Sequence, residues 1–277
     1  MPTSSGSACF LCAWREKCQK RFSITTDFSL HVNCPDYTRD VTIREKDQEE
    51  QKVKFQLERW RHATRKPSPC VITISRETGA GGSEIARRLA EVLKMDLMGG
   101  QIIKRVAESA KMSTEVVETL DEKAVSRVDS MINSLFTSRH LSPDSYLRHL
   151  TWVLGTIGEH GNAIVVGRGA NFVLSKERTF RVRVVAPKEY RVQHFMMSRG
   201  LTKEEATKYV EKRDEDRMGY IRNYFKADAS DPSHYHLVIN TEMTGIEGAV
   251  KIIVDVFHDW AKKVKEKGPP MKSASAK

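Results

Sequence analysis

The chain has 277 residues and a mass of 31.5 kDa, enough for one catalytic-size domain with a small appendage. With 39% hydrophobic and 30% charged residues it reads as a water-soluble globular protein, and no apolar run approaches the roughly 20 residues of a membrane span. A net charge of +10 and a pI near 9.4 favour anionic partners, but the excess is spread over amphipathic segments such as EIARRLAEVLK and the tail KKVKEKGPPMKSASAK. Small phosphorylated ligands therefore rank ahead of nucleic acid, and no membrane partner is expected.

Residues 1–43 are poor in long periodic runs and carry Cys9, Cys12, Cys18 and Cys34 at the spacing C-x2-C-x5-C-x15-C. Four thiolates in a core-poor segment are a ligand set for Zn²⁺ or an iron-sulfur cluster, whose binding energy stands in for the missing core. Unligated thiols are the alternative, and disulfides are disfavoured in a reducing cytoplasm. The opening MPTSSGSACFLCAWREKC has neither a basic leader nor a continuous apolar block, so it does not read as a secretory signal and the protein reads as cytoplasmic. Residues 44–69 follow as a linker. In REKDQEEQKVKFQLERWRHATR, Val53, Leu57 and Trp60 share one helical stripe, and the prolines of KPSP at Lys66–Pro69 stop that helix.

Residues 70–265 alternate strand and helix patterns, which predicts an α/β domain with a doubly wound parallel sheet. The clear strand runs are CVITIS, NAIVVG, TFRVRVVA and YHLVIN. Helical segments between and after them include IIKRVAESA, SPDSYLRHLTWVLGTIGEH, PKEYRVQHFMMSRG, TKEEATKYVEKRDEDRMGYIRNYF and GIEGAVKIIVDVFHDWAKKVKEK. Cys70, at the head of a buried strand, reads as a core thiol. The Lys, Pro and Ser content of residues 266–277 reads as a disordered tail.

After the first strand comes a glycine loop, ETGAGGS, directly before a helix. Glycines let successive backbone N–H groups converge on an anion at a helix N-terminus, and this strand-loop-helix context is the one a phosphate loop requires. Gly79, Ala80, Gly81, Gly82 and Ser83 are the candidate cradle. Laid on G-x-x-x-x-G-K-[ST], Gly81 is the second glycine and Ser83 the hydroxyl that ligates Mg²⁺. Two positions depart, because Arg76 stands at the first glycine and Gly82 at the lysine. Loss of such a donor costs on the order of 3–4 kcal/mol of transition-state stabilisation unless it is replaced. Arg76, Arg87 and Arg88 are the nearby candidates, since a guanidinium reaches phosphate bidentately, and Arg76 is the first choice. A Gly-rich turn with no ligand is the competing reading.

Taken in order, ITISRETGAGGSEIARRLAEVL, IVVGRGANFVL, FRVRVVAPKEYRVQHFMMSRG, KYVEKRDEDRMGYIRNYF and DPSHYHLVINTEMTGIEGAVKII resemble the cytidylate kinase-like family of P-loop nucleoside monophosphate kinases. The resemblance implies a P-loop NTPase fold with a helical lid and monophosphate-binding insertions. It implies an enzyme that moves the γ-phosphoryl of ATP to a nucleoside monophosphate, CMP or dCMP, with Mg²⁺. It also implies roles for individual residues. Arg168 matches the substrate-contacting arginine of a GRD motif whose aspartate is here Gly169. Arg213 and Arg217, in R-D-x-x-R, match lid arginines that close over the transferring phosphate. Asp96, Gln101 and Arg105 fall where such kinases place their monophosphate-binding helices and are the implied acceptor contacts. Read from the residues alone, Arg213, Asp214, Asp216 and Arg217 form ordinary intrahelical pairs, and Asp96, Gln101 and Arg105 a solvated helix face. For the whole chain the alternatives are a non-catalytic nucleotide-binding regulator and a nucleic-acid-associated protein. The N-terminal module is expected to recognise a protein partner or sense redox state.

Overall fold

Val71–Arg76 (VITISR) forms β1, the central strand, because its branched side chains fill both faces of a sheet covered on either side. The computed structural model describes Glu58 and residues 70–139 and 144–267. The cysteines Cys9, Cys12, Cys18 and Cys34, the KPSP stop and the tail from residue 268 lie outside the described residues. So do the side chains of Gln101 and Arg105.

The remaining strands are β2 (Asp96–Met98), β3 (Ala163–Val166), β4 (Thr179–Val185) and β5 (Leu237–Asn240). They form a five-stranded sheet in the order β2-β3-β1-β4-β5, with every neighbouring pair parallel. Ile74 stands opposite both Val166 and Val182, and Arg76 opposite Val184, so β1 projects beyond the end of β3. The chain leaves β1 toward one edge of the sheet and crosses to the other between β3 and β4. The carboxyl end of β1 is thus a topological switch point, where open α/β sheets form their ligand crevice.

Helices cover both faces. On one, α1 (Gly82–Leu93) and α9 (Thr241–Lys267) pack Ile85, Leu89, Ala249 and Ile253 against Ile72 and Ile74. On the other lie α2 (Gly100–Glu108), α3 (Ala110–Val117), α4 (Glu122–Arg139), α5 (Ser145–His160) and the short α6 (Ala170–Val173). Their Ile103, Leu147, Leu150 and Leu154 cover Val71 and Val165. Each such side chain contributes about 1.5–3 kcal/mol by leaving water.

A helical hairpin made of α7 (Lys188–Arg199) and α8 (Lys203–Phe225) projects over the carboxyl end of the sheet. It has its own small core of Val192, Phe195, Ala206 and Val210, and Thr202 with Glu205 forms a capping box at the start of α8. Phe225, fully buried, ties the far end of α8 into the main core.

Three details differ from the sequence pattern. β2 is only 3 residues long, too short to show a period. The strand in YHLVIN starts at Leu237, because the His236 ring accepts the Arg181 N–H through Nδ1 and stacks on Phe180. The last helix runs from Thr241 and is interrupted at Gly245, whose φ of 63° and ψ of 174° are not helical. Among the described residues no helix is long and apolar enough to cross a membrane.

Candidate active site

The loop after β1 is shaped by two left-handed glycines, Gly79 at φ 86° and Gly81 at φ 75°. Gly81 caps α1, so Gly82, Ser83 and Glu84 present the first N–H groups of the helix, which have no intrahelical acceptor and carry its positive end. The rest of the loop is pinned. The Glu77 N–H donates to the Val184 carbonyl at 3.0 Å, and its carboxylate accepts from the Ala186 N–H at 3.2 Å and faces Arg191 at 3.5 Å. Ala80 is fully buried and its carbonyl accepts from the Thr241 hydroxyl at 3.0 Å. Of the candidate cradle, Ala80 thus serves as the anchor and the helix-opening residues as the donors.

Arg76 explains the missing lysine sterically. A Cβ on Gly82 would lie 2.6 Å from Arg76 Cβ and 3.0 Å from its Cγ, so the stem of Arg76 occupies the space a side chain at 82 needs. The guanidinium then runs on to the turn after β3, where a Cβ on Gly167 would meet Arg76 Nη1 at 2.2 Å. Burial, followed by the charges of Arg217, Arg168 and Arg213, pulls the Arg76 pKa down to about 9. Such a group lacks an anion. Arg87 and Arg88 are placed differently: both pair with Glu84, holding its carboxyl at about 2, and they reach on to Glu91 and Glu247.

At the end of β3, Gly167, Arg168 and Gly169 are all left-handed, with φ of 77°, 54° and 68°. For Arg168 this is a strained conformation of the kind held at ligand sites. Its Nε donates to the Gly100 carbonyl at 3.0 Å, and its guanidinium lies 5.8 Å from the Tyr220 ring centre. A Cβ on Gly169 would fall 2.1 Å from Phe225 Cε2, so the aromatic ring stands where an acidic side chain at this position would begin.

From the lid hairpin, Arg217 donates through Nη1 to the Arg76 carbonyl at 3.2 Å, and burial lowers its pKa. Arg213 sits 5.8 Å from the Tyr209 ring on the exposed side of α8. Asp214 does not pair with Arg217 along the helix: Oδ1 accepts the Thr78 N–H at 2.8 Å, and Oδ2 accepts from Arg191 Nη1. Together these groups enclose a cavity of about 1050 Å³ lined by Arg76, Ser83, Arg168, Arg213 and Arg217.

The sequence profile of the cytidylate kinase-like family matches residues 71–243. The chain belongs to this family. It is 26% identical over 181 residues to a protein named cytidylate kinase from Methanopyrus kandleri, spanning 62% of this chain and 84% of that one. Against the protein of the same name from Pyrobaculum islandicum it is 25% identical over 189 residues, spanning 67% and 91%. Among solved structures, an uncharacterized protein from Eubacterium ventriosum superposes with a TM-score of 0.56 at 19% identity, covering 69% of this chain and 99% of that chain; this is a likeness of fold.

As a cytidylate kinase-like protein with a parallel sheet, the chain has the P-loop NTPase fold. The structure brings Arg76, Arg168, Arg213 and Arg217 to one cavity, with Ser83 on its wall. Asp96 is not brought there: it opens β2 opposite Ala163 and does not line the cavity. Two further arginines that the sequence pattern assigns to core elements also line the cavity, Arg183 and Arg191, both buried. The signal for Arg183 was an arginine inside the apolar strand run TFRVRVVA, where an unpaired charge is costly. Among the described residues no group of three His, Cys, Asp or Glu side chains is placed to hold a metal ion. Mg²⁺ asks for less, because it keeps several waters and is bound largely by substrate phosphates. The Ser83 hydroxyl, at the cavity wall and the helix N-terminus, fits as its protein ligand, and the Asp216 carboxylate lines the same space.

Proposed function

We propose that the protein transfers the γ-phosphoryl group of ATP to a nucleoside monophosphate, CMP or dCMP. Family membership and the similarity to proteins named cytidylate kinase support a nucleoside monophosphate kinase-like function. One observation carries the chemistry: the buried Arg76 guanidinium lies between the glycine loop and the Arg168 turn, crowded by Arg168, Arg213 and Arg217. Phosphoryl transfer asks the protein chiefly for in-line positioning and cancellation of charge on the transferring group. The N–H groups of Gly82 and Ser83 cradle the donor phosphates. Arg76 supplies the cation that a lysine at 82 would have supplied. Arg168, fixed on Gly100, holds the acceptor phosphate. Arg217 and Arg213 close from the lid. When bound through Ser83, Mg²⁺ neutralises phosphate oxygens. Gln101 and Arg105 remain proposed contacts for the acceptor on the β2-α2 side, whereas Asp96, which does not line the cavity, is not retained as one. The N-terminal Cys9, Cys12, Cys18 and Cys34 are proposed to hold Zn²⁺ or an iron-sulfur cluster, which metal analysis and a visible spectrum of anaerobically purified protein test.

The function is tested by ADP release from ATP and Mg²⁺ with a panel of nucleoside monophosphates, beside direct ATP binding. Turnover with CMP or dCMP above the other acceptors is the expected result. Tight ATP binding without turnover on any acceptor selects the regulator instead.

A further inference from the structure

We infer that Asp214 is a positioning residue that braces the lid hairpin onto the phosphate loop and so aims Arg217 and Arg213. Its carboxylate is the meeting point of three elements. Oδ1 accepts the backbone N–H of Thr78, in the loop, at 2.8 Å. Oδ2 accepts from Arg191, on α7, whose Nη1 also donates to the Thr78 carbonyl at 3.1 Å and whose Nε donates to the Ala186 carbonyl at 2.8 Å. Asp214 itself belongs to α8, so one acid closes a ring of hydrogen bonds through lid helix, neighbouring helix, loop and strand end. Thr78 and Arg191 are both buried, which makes these charge-assisted bonds strong ones.

Geometry gives the ring a consequence. Arg213 precedes Asp214 and Arg217 follows it by three residues, and Arg217 donates to the Arg76 carbonyl at the mouth of the same loop. With Asp214 fixed, α8 can neither rotate nor slide without moving both arginines. The small hairpin core, Val192, Phe195, Ala206 and Val210, touches the loop through the Phe195 ring, whose Cε2 lies 3.0 Å from where a Cβ on Gly79 would stand, but this apolar contact lacks the directionality of the Asp214 hydrogen bonds. The catalytic part of this inference rests on the kinase reading above, whereas the brace does not.

The test compares Asp214→Ala and Asp214→Asn with Glu215→Gln, an exposed acid on the same helix, in the full-length protein at a temperature where circular dichroism shows all of them folded. The asparagine variant keeps the volume but sets an NH₂ group against either Thr78 or Arg191. Hydrogen exchange of peptides covering residues 76–81 and 210–220 is expected to rise roughly tenfold or more in both Asp214 variants and to stay unchanged in Glu215→Gln. In the phosphotransfer assay kcat is expected to fall about tenfold to a hundredfold, the scale of a misplaced catalytic group, with a smaller change in KM. Unchanged exchange in the loop peptide of both Asp214 variants overturns the brace. Released exchange with unchanged kcat overturns the positioning role. No turnover by the wild-type protein, with exchange still released in the variants, removes the kinase reading and leaves the brace standing.

Discussion

The stem of Arg76 and a side chain at position 82 compete for one space, and this competition makes the unusual loop a coherent one. Adding lysine without removing arginine is therefore damaging. Gly82→Lys alone is expected to lower stability by about 1–3 kcal/mol through overpacking, read from chemical denaturation. The double change Arg76→Gly with Gly82→Lys relieves the overlap and is expected to recover much of that loss. At Gly169 the obstacle is doubled, because φ is 68° and Phe225 Cε2 lies 2.1 Å from the Cβ direction. Gly169→Asp is accordingly expected to cost about 3 kcal/mol or more, from left-handed strain together with the ring clash. Restoring the family aspartate would then weaken the fold; an unchanged melting curve counts against this packing account. Burial and the neighbouring arginines lower the Arg76 pKa, so the guanidinium is held charged at a cost that a bound phosphate relieves.

Among the elements, the lid hairpin is the least self-sufficient. Its own core is small, and its register depends on the Asp214 ring, on Phe195 packed over Gly79 and on Phe225. Its start relies on the Thr202–Glu205 capping box. Thr202→Ala is expected to cost about 1 kcal/mol. Because the hairpin buries only a small core of its own, the change is expected to show as faster proteolysis between residues 199 and 217 more than as a lower global Tm. Equal cleavage rates in the two proteins would place α8 in the cooperative core instead. The hairpin was legible in the sequence as two helical segments joined at RGLT, but the direction of its charges was not. Arg213, Asp214, Asp216 and Arg217 satisfy intrahelical spacing on paper, and only the loop lying under α8 makes a backbone N–H the better partner for Asp214. β2 shows the opposite limit: three residues carry too little pattern to be read, and the strand is defined by its pairing with β3.

At the scale of the whole molecule, the alternation of buried strands and amphipathic helices made the parallel sheet readable, because both faces of each central strand must be apolar. The glycine loop and the arginines of β3 and α8 were readable as a collinear set. What sequence did not show was convergence: Arg183 and Arg191 enter the cavity from a strand and a helix whose patterns suggest core, and Asp96, sequence-adjacent to the acceptor side, stands away from it. Seven arginines line one space of about 1050 Å³ against four carboxylates, Glu77, Glu84, Asp214 and Asp216, an excess of positive charge that favours an anionic ligand. The central claim is that Arg76 provides the loop's catalytic cation. Its most direct test is the steady-state rate of ADP formation from ATP, Mg²⁺ and CMP by the wild-type protein and by Arg76→Gln. Turnover by the wild type with a kcat lower by about 10²–10³ in the variant, and both proteins folded, is the predicted result. Wild-type turnover that survives unchanged in Arg76→Gln would contradict it.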